Sequence, residues 1–256
     1  MGAVADGHYY RKQLGCKSGI IAWSHRSRFQ VGLQLVGPSV GKLLDYGCGD
    51  GTFLSMAADR IQQGVGADIA VDQIRDCAER LASFNNLRFC SIADLGESYY
   101  GTFDVVTCME TLEHCSEPIV EIVLRDLARL VAPGGRVVIS VPIEIGPTFV
   151  IKSVVRKIAA IRGLSDYRYY ERYSLYNAMK MIFARRTTSL VRPVYGTLEA
   201  PSLSHYGFNW RALRERVKAH LRVERTLFSP LGFLGGVFSS QAWLVCRPIA
   251  NGKNSP

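Results

Sequence analysis

The chain has 256 residues, 48% of them hydrophobic, enough to bury one substantial core, so a single large α/β domain over 1–256 is expected. Its seven cysteines are odd in number and scattered, with no C-x-x-C pair or Cys/His cluster, which argues against a disulfide framework and a zinc site. The net charge of +9 is concentrated between Val150 and Arg192, where ten basic residues face only Asp166 and Glu171, and this points to a local anionic partner.

Residues 1–39 carry aromatic and basic side chains, including Tyr9, Tyr10, Trp23, His25, Arg26 and Arg28, and end near Gly37-Pro38. They read as a partly helical segment that packs against the domain edge or lies over a ligand as a lid. The opening residues lack the apolar core of a signal peptide. No run of 18 apolar residues occurs either, because Pro230, Gly232, Gly235 and Gly236 interrupt the nearest candidate. A cytoplasmic protein is the expectation.

The stretch Leu43–Leu54, LLDYGCGDGTFL, is the organising element. A buried strand ends at Asp45, then Gly47, Gly49 and Gly51 alternate with Cys48 and Asp50, and a helical pattern starts at Thr52. Glycines so spaced allow a sharp turn and leave no side chain between backbone and ligand. The following helix start presents free N–H groups to a polar or anionic ligand. A nucleotide-like ligand across this junction is therefore expected. A dinucleotide fingerprint would place its third glycine where Thr52 stands, and the Gly-Lys-Ser/Thr of a P-loop is absent.

Gly64–Asp68 reads as a second strand, with Asp68 19 residues beyond Gly49. That spacing suits a carboxylate accepting two hydrogen bonds from a ribose diol. A cap for the helix predicted over 71–82 is the alternative, although Asp72 could serve there. A third strand, 87–91, leads to Ala93-Asp94-Leu95, and 103–108 reads as a central parallel strand running into Met109-Glu110-Thr111-Leu112-Glu113-His114. Ser116-Glu117-Pro118 opens a helix whose apolar residues share one face. Pro133-Gly134-Gly135 is expected to stop it before a strand over 136–142. Strand and helix thus alternate, which predicts a parallel sheet with helices on both faces.

The region 143–204 reads as an insertion. Its first half places Ile151, Val154, Val155, Ile158 and Ile161 on one helical face, with Lys152, Arg156 and Arg162 elsewhere. Tyr167, Tyr169, Tyr170, Tyr173 and Tyr176 follow. Such a segment suits a cap over an acceptor pocket, with an anionic membrane surface as the other reading. An amphipathic helix over 208–221 and strands over 222–228 and 240–248 close the chain.

The pattern D-x-G-C-G-x-G, Asp68, the Ala-Asp-Leu turn, FDVVTCMETLEH and the PGGRVVISVP block occur in the order found in class I S-adenosylmethionine-dependent methyltransferases, which this sequence resembles. CMETLEHCSEP is especially similar to the branch that methylates hydroxyls of polyprenyl-quinone precursors. The resemblance implies a doubly wound, mostly parallel seven-stranded sheet with an antiparallel C-terminal hairpin. It divides the domain into a lid segment (1–39), a cofactor half (40–142), a basic helical cap (143–204) and a C-terminal part (205–248). S-adenosylmethionine is the implied cofactor, contacted at Asp45, Gly47, Cys48, Gly49, Asp68, Ile69, Asp94, Leu95 and Met109, with Asp94 beside the adenine. A turn-forming role is the alternative for Asp94.

Methyl transfer is a direct displacement in which the protein aligns donor and acceptor. A hydroxyl acceptor gains from a general base, and His114, beyond the fourth strand's C-terminal end, leads the candidates over His25 and His205. In the resembling branch Glu110, Glu113 and His114 are associated with a divalent metal. A cap or local ion pair is the reading taken for Glu113, and no metal is assigned. The expected acceptor is a small-molecule, glycan or lipid-linked hydroxyl, with peripheral contact to anionic membrane. A nucleic-acid base acceptor would call for Asn/Asp-Pro-Pro-Tyr/Phe where Met109-Glu110-Thr111-Leu112 stands, so nucleic acid is not the expected partner. A non-catalytic cofactor-binding protein is the other class, and the intact nucleotide-contacting positions count against it.

Overall fold

The structure, a computed structural model, describes residues 19–161, 174–196 and 201–249. The first part of the expected lid, and Arg162, Arg168, Arg172 and the tyrosines at 167, 169, 170 and 173, lie outside the described residues. Within them, β1 (Val40–Tyr46), β2 (Ile61–Asp68), β3 (Leu87–Ser91), β4 (Phe103–Met109) and β5 (Val131–Pro142) pair in parallel. The sheet order is β3-β2-β1-β4-β5-β9-β8. Here β8 (Leu221–Ser229) lies at the edge, and β9 (Gln241–Pro248) runs antiparallel between β5 and β8. The final hairpin is thus as expected, and the link between its strands is a short 3-10 segment, Gly232–Val237.

Both sheet faces are covered, which explains the continuous apolar strands. Successive residues point to opposite faces. Leu44, Val106 and Val137 meet α4 (Glu117–Leu130) and α7 (Trp210–His220) through Val120, Leu124, Leu127, Leu213 and Val217. Their neighbours Leu43, Val105 and Val138 face α1 (Gly19–Val36) and α2 (Thr52–Ala57) through Phe29, Val36, Phe53 and Leu54. Gly32 lets α1 approach closely, since a Cβ there would lie 2.8 Å from the Phe53 ring. The helix expected over 71–82 is α3 (Val71–Arg80), and α7 is capped by the Asn209 side chain. The second strand begins three residues before the expected Gly64, at Ile61, and the largest boundary difference is at β5. The strand expected at 136 begins at Val131, directly after α4, and Pro133-Gly134-Gly135 lies within it at a register shift against β4.

The insertion holds α5 (Pro147–Ile161), α6 (Leu175–Ile182) and a small hairpin of β6 (Val194–Gly196) and β7 (Pro201–Leu203). Helix α5 does not close a pocket with its apolar face as expected. Val150, Ile151, Val154, Val155 and Ile158 are exposed, while Lys152 and Arg156 turn inward. The cause is Glu144, a carboxylate 1% exposed, which is reached by Lys152 at 2.8 Å and Arg156 at 3.0 Å. A buried charge needs such partners, and this requirement sets the helix rotation. Burial alone raises the Glu144 pKa, but the charges of Lys152 and Arg156 outweigh it and bring it down to about 2.

A carboxylate with a depressed pKa stabilises the fold above its unfolded value and loses that contribution as pH falls towards the folded one. Stability should therefore drop as pH falls from about 4.5 towards 2. Glu144→Gln leaves Lys152 and Arg156 without their counter-charge and should cost about 3–5 kcal/mol. Urea unfolding at neutral and acidic pH measures both effects, and the acid loss should be smaller in the variant.

Candidate active site

The β1–α2 turn is built on backbone geometry. Gly47, Gly49 and Gly51 have φ of 76°, 54° and 70°, a left-handed region that other residues rarely adopt. The Gly47 and Cys48 amides donate to the Ala67 carbonyl at 2.7 and 3.1 Å, tying the turn to the end of β2. Asp68 completes the tie, accepting from the Gly49 amide at 2.9 Å and the Ala70 amide at 3.0 Å. A Cβ on Gly47 would overlap Thr111, and one on Gly51 would meet Leu81. At Gly49 a Cβ would meet only Gln73 Oε1, at 3.9 Å. Its open side faces a cavity.

That cavity, of about 630 Å³, is of ordinary ligand-site size. It brings together the turn, Asp45, Met109 and Glu110 at the strand ends, Arg28 and Phe29 of α1, Phe53 of α2, and Asp72, Gln73 and Asp76 of α3. It lies beyond the C-terminal ends of β1 and β4, where the winding reverses. Asp45, 3% exposed, accepts a hydrogen bond from Thr107 at 2.7 Å. Burial pushes its pKa up to about 7, the Thr107 bond opposes this, and the charge of Asp68 adds to it. Glu110 has φ of 54°, a costly conformation for a side chain of its size. It is held by Arg28 at 3.1 Å and by the Gln241 side-chain amide.

A second polar cluster sits past β4. The Leu112–His114 segment is a 3-10 turn, so Glu110 and Glu113 do not share a helical face. The β6–β7 hairpin and its exit supply what the sequence did not join to it. His114 Nδ1 lies 3.0 Å from the Leu203 carbonyl, and His205 Nε2 lies 3.2 Å from His114 Nε2. A carbonyl only accepts, so His114 Nδ1 carries the proton and Nε2 keeps its lone pair. Burial holds His205 down at about 4, despite Glu144 nearby, so it is neutral at physiological pH. Glu113 is fully buried, and neither carboxylate oxygen has a hydrogen-bond partner. Among the described residues its carboxylate neither caps a helix nor forms an ion pair, contrary to expectation, although the charges of Arg28 and Arg192 act on it. Desolvation and the neighbouring Glu110 raise its pKa well above the ordinary value. Ligand atoms of Glu113, His114 and His205 lie within 4.8 Å of one another. Orphaned carboxylate oxygens and two imidazoles form a donor set that fits a divalent cation.

Five of the residues expected at the cofactor, Asp45, Gly47, Cys48, Gly49 and Met109, line the cavity. Asp68 braces the turn and is not among the residues that line the cavity. Ile69 is 79% exposed at the β2 exit. Asp94 accepts from the Ser91 amide at 3.1 Å and closes a capping box, which is turn-forming work, and Leu95 follows it. His25 is held at about 4 by burial and Arg28.

A model of a methyltransferase-domain family matches residues 23–180, more than half of the chain. The chain belongs to that family. It is 31% identical over 174 residues to the ubiquinone biosynthesis O-methyltransferase of Pseudomonas aeruginosa, covering 64% of this chain and 71% of that protein. The enzyme of that name from Chromobacterium violaceum is 38% identical over 104 residues, 39% of this chain and 43% of its own. Among solved structures, the PH0226 protein of Pyrococcus horikoshii aligns with a TM-score of 0.61 at 16% identity, covering 94% of this chain and 98% of that one. The geranyl diphosphate C-methyltransferase of Streptomyces coelicolor aligns at 0.54 with 12% identity, covering 95% and 84%. The fold is that of a class I methyltransferase, and the chain is an S-adenosylmethionine-dependent enzyme.

Several cavity residues of this methyltransferase escaped the sequence reading. Arg28 and Phe29 belong to a helix whose docking no local spacing reveals. Gln73 follows Asp68 by five positions, a hint available only once α3 is known to start beside the turn. His205, a base candidate from the sequence, lies outside that cavity, and its pairing with His114, 91 residues away, depends on the placement of the hairpin.

The Asp45 carboxyl yields a pH prediction. With a folded pKa near 7 and an ordinary one near 3.8, it makes stability fall as pH rises between these values, levelling off above. S-adenosylmethionine brings a sulfonium cation, which favours the ionised carboxyl, so its binding should release protons and tighten from pH 6 to 8. Asp45→Asn should flatten that dependence, and S-adenosylhomocysteine, which lacks the sulfonium, should show less of it. Calorimetry in buffers of different ionisation enthalpy reads the proton release. Identical profiles for wild type and variant would exclude Asp45 as its source.

Proposed function

We propose that this enzyme methylates a hydroxyl oxygen of a small-molecule acceptor, with lipid-linked phenols as the preferred class and His114 as the general base. The observation that supports this is the His114 tautomer, whose Nδ1 proton is committed to Leu203, so that Nε2, which faces His205 Nε2 at 3.2 Å, is the ring atom with a lone pair for the acceptor proton. The acceptor O–H gives its proton to Nε2, the oxygen lone pair attacks the methyl carbon, and the carbon–sulfur bond breaks to leave S-adenosylhomocysteine. The names of the P. aeruginosa and C. violaceum relatives as O-methyltransferases favour oxygen over nitrogen.

The glycine turn takes the cofactor against its backbone, and Asp45 faces the sulfonium side. Each Asp68 oxygen spends one acceptor site on a backbone amide and keeps another for the ribose diol. Ile69, Asp94 and Leu95 form the adenine rim. Arg28 offers a cation for the amino-acid carboxylate and is positioned by Glu110. Glu113, His114 and His205 would hold a divalent cation through the same His114 Nε2, so its Lewis-acid polarisation of the acceptor oxygen would take the place of the base.

His114→Ala should lower kcat by roughly 10²–10⁴-fold and leave S-adenosylhomocysteine affinity unchanged. Transfer assays with catechol, simple phenol and primary amine acceptors test the oxygen assignment. Faster transfer to amines, or an unchanged kcat in the variant, would reject this reading. Replacing the cofactor with its 2′-deoxy analogue should cost far less in Asp68→Ala than in the wild type.

A further inference from the structure

We infer that α5, α6 and the 3-10 segment Gly232–Val237 together form a docking surface for an anionic phospholipid bilayer. The three elements are joined from below. Phe149 of α5 and Met181 of α6 are buried together with Tyr206, and the Gly146 amide donates to the Met181 carbonyl at 2.9 Å. The Thr148 hydroxyl lies 2.8 and 2.7 Å from the carbonyls of Gly236 and Val237, fastening α5 to the 3-10 segment.

Above these anchors the side chains are apolar and outward. Helix α5 exposes Val150, Ile151, Val154, Val155 and Ile158 at i, i+3 and i+4 spacing, the stripe that a helix of a globular protein ordinarily turns to its core. Leu175 at the start of α6 is 80% exposed, Phe233 in the 3-10 segment is 85% exposed, and Phe183 and Phe238, which directly follow these elements, are exposed as well. Apolar surface gathered on three joined elements marks a contact site rather than scattered exposure.

Charge selects the occupant. No acidic residue occurs in 147–161, 174–196 or 230–240. Lys157, Lys180 and Arg185 are exposed there, whereas Lys152 and Arg156 are already taken by Glu144, and Arg186 faces Glu215 of α7. Aliphatic and phenyl groups entering the acyl boundary, with lysine and arginine at headgroup level, are what an interfacial element requires. Nucleic acid would match the charge but not the exposed valines and isoleucines. No described helix is long and apolar enough to cross a membrane, so the contact is peripheral. This surface deepens the lipid-linked acceptor reading and rests on it only for its purpose, because bilayer binding is measured without acceptor or methyl transfer.

The full chain should be sedimented with phosphatidylcholine vesicles with and without phosphatidylglycerol. Binding should be roughly tenfold stronger to the anionic vesicles and should weaken with salt. Phe233→Ser and, separately, Val154→Ser should each lower it several-fold, and Lys157→Glu with Lys180→Glu should remove the lipid preference. S-adenosylhomocysteine affinity reports folding and should be unchanged in every variant. The proposal is overturned if the wild type ignores anionic vesicles, if folded variants bind as well as the wild type, or if the substitutions dissociate a dimer without affecting vesicles. Loss of methyl transfer to phenols with vesicle binding intact would reject only the acceptor assignment.

Discussion

The site depends on a backbone constraint, three alternate glycines in the left-handed region between β1 and α2, locked by Asp68. Because the Gly49 amide is bonded to the Asp68 carboxylate and the Gly47 and Cys48 amides to Ala67, the turn moves with the ends of two neighbouring strands. The open side of Gly49 then faces the cavity at the sheet's winding reversal. The rest of the cofactor half follows from it. Asp45 is carried to the cavity floor, α2 starts beside the turn, and α3 brings Gln73 within reach of Gly49.

Around this frame the chain places ionisable groups where water is scarce, and each is handled differently. Glu144 remains charged because Lys152 and Arg156 reach it. The Asp45 pKa is pushed up to about 7 because one hydroxyl is weaker compensation than a cation. Glu113 has no hydrogen-bond partner for its carboxylate, and a buried polar group of that kind calls for an explanation such as a ligand that can satisfy it. The same economy shapes the insertion. Drawing Lys152 and Arg156 inward for Glu144 leaves the apolar stripe of α5 on the outside.

Much of the fold was legible in the chain because its signals are local. The apolar runs at 43–44 and 103–108, the latter broken only by Asp104 and Thr107, pointed to strands buried on both faces, and the 3.6-residue period after Pro118 to a helix on one of them. The glycine spacing and Asp68 located the turn that opens on the cavity. Helix and strand limits followed closely except where Pro133-Gly134-Gly135, a stop signal by composition, became an irregularity within β5, since the β4 edge supplied a partner for that backbone.

The sequence by itself determined the α/β class, the nucleotide-type turn and the class of chemistry, because residues close in the chain encode those through backbone geometry and hydrophobic period. Tertiary structure alone decided the partners of His114, the orphaning of Glu113, and the presence of Arg28 in the cavity. Their contacts join residues about 80 to 100 positions apart, or a helix to a strand end, and no local spacing records them. It also decided which way α5 turns. A helical wheel identifies an apolar face, but one buried carboxylate eight residues from Lys152 determined which face the protein could afford to leave in water.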